Sequence, residues 1–485
     1  MITGLARWSR IFWALVVVSL PVTSFRFFPF LGKDTMVRPL AFYPLAILVV
    51  LLAIRILWFG FRPRLNRSLL LLFFFLLCAV VSTVIGYLYA PVPMHGQEYL
   101  GRSFRAWVTL IGGIVFFLTT LWMNQSEEDL RFSLKWLYVG LAASIVWGGI
   151  QFISYLSDFP GRGVLNKFQL LFSVRQLLVK ERVTGFAFEP SWLANQLATI
   201  YLPWLWISVL TGYRIFRRRW IEPVLLIGAI FLLVSTFSRG GLLMAAISCV
   251  GGFLITQRSL IRKTGEWYRE PFRNKEIWAT ILRIGITLIL AGAVVGAGYL
   301  LSQNKYISRL WKSNKTNLVD YVVDISAGPR LAYAMAGWGI YDTHPWTGVG
   351  LGASGLYLYD HIPDWSATTL SEITRQLTPD AWLYPNIKNL HLRILAETGL
   401  IGFGFYLVFW LSILAQIIET HRRKVPLSRL IAGAGITIWL VLFLFNFTKD
   451  SLIDPNGWWG IGLLLGLTGY LSQAKSLAPR PENDR

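Results

Sequence analysis

The sequence has few charged residues. Aspartate, glutamate, lysine and arginine make up 15% of its 485 residues, whereas 55% of the residues are hydrophobic. Soluble globular proteins carry about 25% charged residues, so this shortage excludes an ordinary soluble domain. Several apolar runs reach the roughly 20 residues that a helix needs to cross the hydrocarbon core of a bilayer. The composition therefore predicts a helical membrane protein.

Cysteine and histidine are also scarce. The two cysteines, Cys78 and Cys249, lie within apolar runs, and the five histidines are scattered along the chain. Thiols in such runs behave as small buried hydrophobic groups, so we expect neither a disulfide nor a thiolate site. The histidines lack the spacing of a zinc site. We therefore expect no metal and no cofactor.

Acidic residues are outnumbered, with 25 Asp and Glu against 46 Lys and Arg and a net charge of +21. In a soluble protein this excess would indicate nucleic acid. Here no basic, aromatic-interleaved soluble domain is left to bind one, so we expect no nucleic acid partner. The basic residues instead follow alternate apolar runs, at 62–67, 131–136, 213–220, 257–277 and 421–424. The positive-inside rule then predicts both termini in the cytoplasm.

What the sequence does have is about twelve apolar runs of membrane-spanning length. They lie near 11–25, 40–60, 69–90, 106–123, 137–156, 191–211, 222–237, 241–256, 279–301, 399–419, 429–447 and 457–473. The first follows basic residues but no small-residue cleavage site, so we interpret it as an uncleaved helix.

These runs predict an organisation in four parts. Residues 1–301 hold nine spans, with an amphipathic segment near 157–190 on the outer surface. Residues 302–395 form a large outer loop, 396–475 hold three more spans, and 476–485 form a cytoplasmic tail. The outer loop is rich in tyrosine and tryptophan, which suits either an interfacial aromatic belt or rings on which sugars stack.

Arginines and one glutamate stand at span boundaries on the predicted outer side. Arg239 lies between two short apolar runs, where it either reaches phosphates of the bilayer or captures an anionic, membrane-anchored ligand. Arg182 precedes Glu189 and Pro190, and Pro190 suits a first helical turn. Glu189 either complements a helix dipole or serves as an outer carboxylate for acid–base chemistry.

The stretch 328–355 places Arg330 on a predicted helix and His344 at the end of that helix, before a Pro-Gly turn. It also contains G-x-G-x-x-G at Gly350, Gly352 and Gly355. A dinucleotide site would need a preceding strand and a following helix, which this context lacks. We therefore expect a glycine-rich turn that lets the backbone approach a helix or a ligand.

The stretch KNLHLRILAETGLIGFG, from Lys388 to Gly404, gathers charges at the start of the tenth span. Glu397 is expected in the first turns of that helix, where its charge meets the positive end of the dipole. Gly399 and Gly402 are expected to bring the helix close to a neighbour. These structural reasons leave Lys388 and His391 unexplained.

Together these segments resemble the O-antigen ligase and O-antigen polymerase family of bacterial inner-membrane glycosyltransferases. The family signature is a His-Asn pair, nine residues and G-x-x-G. Here Lys388 and Asn389 are followed by nine residues, Gly399 and Gly402. The S-R-G at 238–240, the turn at 342–352 and the R-x-x-G-x-x-x-x-P segment at 182–190 are similar to further family motifs. Lys388 replaces the usual histidine, which returns at His391, and the Glu-Pro-Ser at 189–191 favours a polymerase over a ligase.

The resemblance implies an all-α, GT-C-like fold of about twelve membrane helices with a large late periplasmic loop. It implies a polyprenyl-diphosphate-linked oligosaccharide as donor, a glycan or lipid acceptor, and a periplasmic active site. Possible partners are polysaccharide export or chain-length proteins. A diphosphate leaves as a stable anion, so arginines rather than a metal stabilise it.

On this basis we assign the diphosphate to Arg239 and Arg182, with Arg330 as a further candidate. The candidates for the base are His391 and Glu189, together with Lys388 if burial and nearby arginines depress its pKa. Asn389, Glu397, Gly399, Gly402 and His344 are expected to support the site.

Two alternatives compete with the transferase. The first is a secondary transporter of a small anion or sugar, although we find no internal repeat and the charges lie away from the bilayer midplane. The second is a structural protein of an export complex, for which replacing Arg239 would lower stability but leave the glycan unchanged.

Overall fold

The computed structural model of the chain describes residues 2–27, 36–61, 66–157, 161–177, 182–274, 277–303, 308, 315, 317–325, 327–378, 381, 384–423 and 425–477. Its secondary structure is helical. Within these residues there is no β-strand, only two isolated bridges, between Ser24 and Arg38 and between Met94 and Gln97. The predicted all-α membrane fold is therefore confirmed.

Most helices of the first half of the chain follow the apolar runs, and two others, Arg162–Phe172 and Arg258–Asn274, lie between the runs. The helices in chain order are α1 (Ile2–Val18), α2 (Phe42–Phe59), α3 (Ser68–Leu88), α4 (Tyr99–Met123), α5 (Glu127–Leu156), α6 (Arg162–Phe172), α7 (Pro190–Gln196), a π-helical turn (Leu197–Tyr201), α8 (Leu202–Thr211), α9 (Ile221–Ser235), α10 (Arg239–Thr256), α11 (Arg258–Asn274) and α12 (Ile277–Ser302). The π turn comes just before Pro203, which lacks the N–H needed for a regular helical hydrogen bond.

The second half begins with short helices and ends with long ones. They are α13 (Leu318–Asp324), α14 (Gly328–Thr343), a 3₁₀ turn (Ser354–Tyr357), α15 (Leu358–His361), α16 (Asp364–Thr369), α17 (Ser371–Leu377), α18 (Leu390–His421), α19 (Pro426–Phe445) and α20 (Pro455–Leu477). Much of the predicted outer loop, 302–395, is thus folded into short helices. Most of the predicted tail, 478–485, lies outside the described residues.

Each of the twelve predicted spans falls on one of these helices, but twelve crossings are not established. Eight helices among the described residues are long and apolar enough to cross a membrane: 42–59, 68–88, 99–123, 127–156, 190–211, 239–256, 390–421 and 426–445. The apolar helix Ile221–Ser235 and the apolar part Ile277–Gly292 of α12 are shorter. The amphipathic segment predicted near 157–190 contains helix α6, Arg162–Phe172.

Two helix ends differ from the predictions. The first span was expected at 11–25, but α1 ends at Val18. The tenth was expected near 399, but α18 begins at Leu390 because the side chain of Asn389 accepts a hydrogen bond from the Leu392 N–H. Such a cap satisfies one of the N–H groups left open at a helix start. Residues 390–397 of the charged stretch therefore lie on the helix rather than ahead of it, and Lys388 directly precedes the cap.

Small residues hold the membrane helices together. A side chain at Gly252 of α10 would meet the Thr437 hydroxyl at 2.2 Å, and one at Gly433 of α19 would meet Thr256 at 2.4 Å. Between helices in lipid, such close backbone approach supplies packing that the hydrophobic effect does not. Large side chains fill the centre of the bundle, including the fully buried Trp13, Trp204 and Trp459.

The bundle has two unlike ends. One end carries α13 to α17 and the starts of α7, α10 and α18; we call it the site end. The other carries the turn Arg214–Arg219, helix α11 and the turn after His421. Gln257 donates to the Leu210 carbonyl there at 2.7 Å, and Arg258 and Arg429 lie near His421. This second end collects basic residues, so we call it the basic end.

Candidate functional site

The glycine-rich turn 345–352 docks onto an interruption in α18. At Gly399 the backbone leaves the helical conformation, with φ 63° and ψ −173°. The turn and the helix then share three backbone hydrogen bonds: Val349 N–H to the Ala396 carbonyl (3.0 Å), Gly350 N–H to the Glu397 carbonyl (2.9 Å) and Leu400 N–H to the Pro345 carbonyl (2.8 Å). The glycine-rich turn and the stretch around Gly399, which the sequence motifs identified separately, therefore pack together as one unit.

Glycine is required at this junction. Gly399 lies in a region of positive φ that side chains rarely adopt, and a Cβ atom there would lie 2.3 Å from the Trp346 carbonyl oxygen. In the turn, Gly350 has φ 97° and a Cβ atom would lie 1.8 Å from the Tyr99 hydroxyl. The turn serves backbone approach to a helix, as predicted. Gly399 faces this turn, whereas a Cβ atom at Gly402 would lie 3.5 Å from Cys78 on α3.

Behind the turn lies a group of polar and ionic side chains, buried except for the half-buried Asp450, that we call the buried charge cluster: Arg393, Glu397, Ser354 and Asp450. Arg393 Nε donates to Oε1 of Glu397 at 2.9 Å, and the two side chains are 8% and 0% exposed. The Ser354 hydroxyl donates to the same oxygen at 2.7 Å. Burying each ion costs several kcal/mol, so the pair persists only because these contacts are made together.

Asp450 closes this cluster from the loop between α19 and α20. Arg393 Nη1 donates to the Asp450 backbone carbonyl at 2.8 Å, and Asp450 Oδ2 lies 3.9 Å from the same nitrogen. Burial raises the pKa of the Asp450 carboxyl, and the positive charges of Arg393 and Lys388 oppose that rise. Glu397 was expected to meet the dipole in the first turn of its helix. Because α18 begins at Leu390, Glu397 instead pairs with Arg393 one turn earlier.

Lys388 forms a second, more open ion pair. Its Nζ contacts the Glu372 carboxylate of α17, and the two side chains are 33% and 40% exposed. The ammonium also lies 5.3 Å from the centre of the Tyr333 ring on α14. Lys388 immediately precedes the capping residue Asn389, so it projects from the start of α18 toward the short helices of the site end. We call Lys388 and Glu372 the open pair.

His391 lies inside the bundle. It is 6% exposed, and its ring packs within 4.7 Å of the rings of Phe443 and Phe447. Nε2 lies 3.0 Å from the Phe443 carbonyl oxygen, and Nδ1 lies 3.2 Å from the Tyr406 hydroxyl. A neutral imidazole satisfies both contacts when Nε2 donates and Nδ1 accepts. Both ring nitrogens are thus used within the protein.

The arginines assigned to the diphosphate gather around the start of α10; we call this the arginine turn. Arg182 Nε donates to the Thr236 carbonyl at 2.8 Å, and Arg239 Nη2 donates to the Ile325 carbonyl at 2.9 Å. The Ser238 side chain caps α10. Arg330 is exposed in the first turn of α14, shortly after Ile325. The structure thus brings Arg182 and Arg239 to one turn and places Arg330 on the adjoining helix.

Glu189 lies on the same side as the arginine turn. It is the residue before α7, with Pro190 at the first helical position as predicted, but its side chain makes no capping bond. Instead Oε1 accepts from Arg175 Nη1 at 2.8 Å, with 38% of the Glu189 side chain exposed. Its carboxylate is therefore partly open and paired with a cation that sequence reasoning did not include.

His344 ends α14, as predicted. Its Nδ1 lies 2.9 Å from the Thr343 hydroxyl. Burial, and then the nearby His361, lower the pKa of His344. Among the described residues, no three His, Cys, Asp or Glu side chains are grouped to hold a metal.

Sequence reasoning missed residues that the fold brings in from a distance. Glu372 and Ser354 come from the folded loop, and Asp450 comes from beyond α19. Arg102, at the start of α4, stacks its guanidinium carbon 3.7 Å from the centre of the Tyr384 ring. Burial raises the pKa of the Tyr384 hydroxyl. One signal was present: Lys449, Asp450 and Asp454 are charged residues grouped in the short loop between two apolar runs, and charges next to spans are candidates for function.

A comparison with known families gives this geometry a context. Residues 224–407 match the family model described as O-antigen ligase. No curated protein matches the chain. The matched segment, under half of the chain, contains Arg239, Arg330, His344 and the whole of 388–402, whereas Arg182, Glu189 and Asp450 lie outside it. The resemblance carried by the sequence motifs is therefore confirmed over this segment, which is similar to O-antigen ligases. The apolar helices indicate an integral membrane protein.

Proposed function

We propose that this protein transfers oligosaccharide from a polyprenyl-diphosphate carrier during surface polysaccharide synthesis, as a polymerase rather than a ligase. The observation that carries the proposal is the family match over 224–407, because that segment contains both Arg239 of the arginine turn and Lys388 of the open pair. The preference for a polymerase rests on the Glu-Pro-Ser at 189–191.

The arginine turn is the proposed donor side. As the acceptor oxygen bonds to the anomeric carbon, the bond from that carbon to the diphosphate breaks and the diphosphate leaves with the electron pair. Fixed cations stabilise the charge that develops there. Arg182 and Arg239 are held by carbonyl groups at 2.8 and 2.9 Å. Their planar guanidinium groups suit phosphate oxygens, and Arg330 extends this positive surface along α14.

The open pair is the proposed acceptor side. The attacking hydroxyl must lose its proton to a positioned base. Lys388 is a poor base because a lysine ammonium offers only hydrogen-bond donors and no acceptor, and its Nζ contacts the Glu372 carboxylate. We therefore assign the proton to the Glu372 carboxylate and give Lys388 the task of orienting it. Tyr333, beside Lys388, lies one helical turn from Arg330, so α14 connects the acceptor side to the donor side.

His391 and Glu189 take other roles in this proposal. The ring nitrogens of His391 already bond to Phe443 and Tyr406, so His391 positions the start of α18. Glu189 lies with the arginines that receive the leaving group, and its pairing with Arg175 suits organisation of that side. A base would act from the opposite side of the anomeric carbon.

We further propose that the site end faces the periplasm and that the protein lies in a bacterial inner membrane. The support is the charge distribution: the basic end carries Arg214–Arg219 and α11, and cytoplasmic ends of membrane proteins collect such residues. Both termini would then be cytoplasmic. A periplasmic site can receive a lipid-linked oligosaccharide after export, and partners that export the glycan or set its length would meet the protein there.

The test is a gene deletion in the host, complemented with wild type, Arg239→Ala or Glu372→Gln at matched protein level. Gels and mass spectrometry of the surface glycan give the readout. Loss of long chains while single repeat units still reach the surface supports the polymerase. Polymer that accumulates on its lipid carrier would indicate a ligase. Normal glycan in the deletion strain would overturn the transferase and leave a transporter as the better explanation.

A further inference from the structure

Arg102 is a half-buried arginine that the proposed donor and acceptor groups do not include. It lies in the first turn of α4, at the site end. Its guanidinium carbon lies 3.7 Å from the centre of the Tyr384 ring, four residues before Lys388. Stacking on an aromatic face fixes a guanidinium and leaves the in-plane N–H groups directed away from the ring.

Two polar groups of this stacked pair lack a hydrogen-bond partner within the described part of the chain. Arg102 Nε and the Tyr384 hydroxyl are buried and have no hydrogen-bond partner among the described residues. The electrostatic neighbours of Arg102 are Tyr384, Arg393, Arg105 and Glu397. Glu397 is already bonded to Arg393 at 2.9 Å. An unsatisfied buried donor is destabilising, so the protein maintains an arginine here at a cost to its own stability.

The surrounding backbone is shaped to keep this arrangement. A Cβ atom at Gly352 would lie 2.9 Å from the Arg102 carbonyl oxygen, and one at Gly355 would lie 2.1 Å from the Tyr384 ring. The glycine-rich turn therefore packs against both residues as well as against α18. Arg102 and Tyr384 thus form a built feature of the site end, adjacent to the buried charge cluster.

We propose that Arg102 and Tyr384 form a second oxyanion subsite, which binds a phosphate group of the lipid-linked acceptor. The inference rests on the proposed function. The forked N–H groups of arginine recognise phosphate oxygens in pairs, and the tyrosine hydroxyl adds a donor. The subsite is distinct from the arginine turn: its neighbours are Arg393, Arg105 and Glu397, and Tyr384 belongs to the same segment as Lys388 of the acceptor side.

Two phosphate subsites fit the chemistry of a polymerase. An enzyme that joins two oligosaccharides, each linked to a lipid diphosphate, holds two carrier diphosphates at once, one as the leaving group and one on the acceptor. The arginine turn serves the first in this scheme. Arg102, on the side of the open pair, serves the second and brings the acceptor sugar toward Glu372.

The experiment counts bound diphosphates. Full-length protein in detergent is titrated with farnesyl diphosphate, and native mass spectrometry gives the number of ligands bound, with farnesol as the uncharged control. Wild type is expected to bind two. Arg102→Gln and Arg239→Gln are each expected to bind one, with affinity at the lost subsite weakened about 10- to 100-fold, the typical effect of a charge-assisted hydrogen bond. Tyr384→Phe is expected to weaken the Arg102 subsite alone.

The matched control is Arg105→Gln, because Arg105 lies one turn along the same helix and is exposed. It should still bind two ligands; loss of one would mean that a diffuse field, rather than contact with Arg102, holds the phosphate. The melting temperature of ligand-free Arg102→Gln should fall only slightly, because the stacking on Tyr384 is lost but Glu397 keeps its pairing with Arg393. A clear drop would indicate a structural role and overturn the proposal.

The remaining outcomes separate this inference from the proposed function. Two ligands bound to Arg102→Gln would overturn the subsite and leave the donor assignment intact. A single ligand on wild type that both arginine variants lose would place Arg102 in the donor site and overturn the second subsite. No ligand on wild type would overturn the diphosphate donor and this inference together.

Discussion

Two ion pairs at the start of α18 have the same charges and opposite surroundings. Arg393 and Glu397 are 8% and 0% exposed, whereas Lys388 and Glu372 are 33% and 40% exposed. The buried pair joins the glycine-rich turn and the loop after α19. The open pair joins the same helix to the short helices of the site end, where a substrate can reach it. The first pair therefore builds the site, and the second is available to act in it.

The largest expected effect comes from breaking the buried pair. Arg393→Met should lower the free energy of unfolding by about 3–5 kcal/mol, because it leaves the Glu397 carboxylate buried and uncompensated. The measurements are the apparent melting temperature in detergent and the yield of monodisperse protein.

The control is the double variant Arg393→Met with Glu397→Leu. Replacing both partners of a buried pair with apolar groups is often close to neutral, so this variant should recover most of the lost stability. A double variant as unstable as the single one would mean that the contact of Arg393 with the Asp450 carbonyl, not the pairing with Glu397, stabilises the cluster.

The interruption of α18 that positions the buried pair gives the next prediction. Gly399→Ala should destabilise the protein by about 1–3 kcal/mol from backbone strain alone, with a further cost because the new Cβ atom meets the Trp346 carbonyl. The matched control is Gly404→Ala in the same helix, where a Cβ atom meets nothing within 4 Å. Equal melting temperatures for the two variants would contradict the claim that the helix interruption requires glycine at position 399.

The open pair should respond in activity rather than in stability. Glu372→Gln should reduce the rate of glycan transfer about 10²- to 10⁴-fold, the range for loss of a general base, and Lys388→Met should reduce it as well. The melting temperature should stay within about 2 °C, because exposed pairs contribute little to stability. Transfer is measured per amount of folded protein.

A pair of similar exposure at the basic end supplies the control for this prediction. Arg131 and Glu127 lie 2.9 Å apart and are 37% and 39% exposed. Glu127→Gln should leave transfer unchanged. If Glu127→Gln lowered transfer as much as Glu372→Gln, loss of any exposed ion pair would reduce transfer. The assignment of Glu372 as the base would then be wrong.

The contrast between the two pairs also shows what the sequence can predict. Apolar runs and local motifs predicted the helices, the glycine-rich turn at 345–352, the helix end at His344 and the family. These features depend on neighbours along the chain, or on composition. The partners Glu372 and Asp450 depend on how distant segments pack, so no local pattern identified them.

The start of α18 determines whether each side chain in 388–397 is buried or exposed. The sequence placed the start of this helix close to Gly399, whereas Asn389 caps it ten residues earlier. With the helix starting at Leu390, His391 lies one turn from Ile394 and Leu395, which are 1% and 7% exposed. Residues three and four apart share a helix face, so His391 faces the bundle.

The smallest expected effect is that of His391→Gln. It tests whether the buried His391 matters less for transfer than Lys388, three residues earlier in the chain. An amide can still donate toward the Phe443 carbonyl and accept from Tyr406, so transfer should fall less than about tenfold, well short of the loss of a general base. The melting temperature should drop modestly, because a neutral hydrogen bond contributes about 1 kcal/mol. A loss of transfer beyond about 100-fold with an unchanged melting temperature would return the base to His391. In that case the ring must leave Phe443 and Tyr406 when substrate binds, and the distinction between a buried structural group and an open functional pair would hold only for the ligand-free protein.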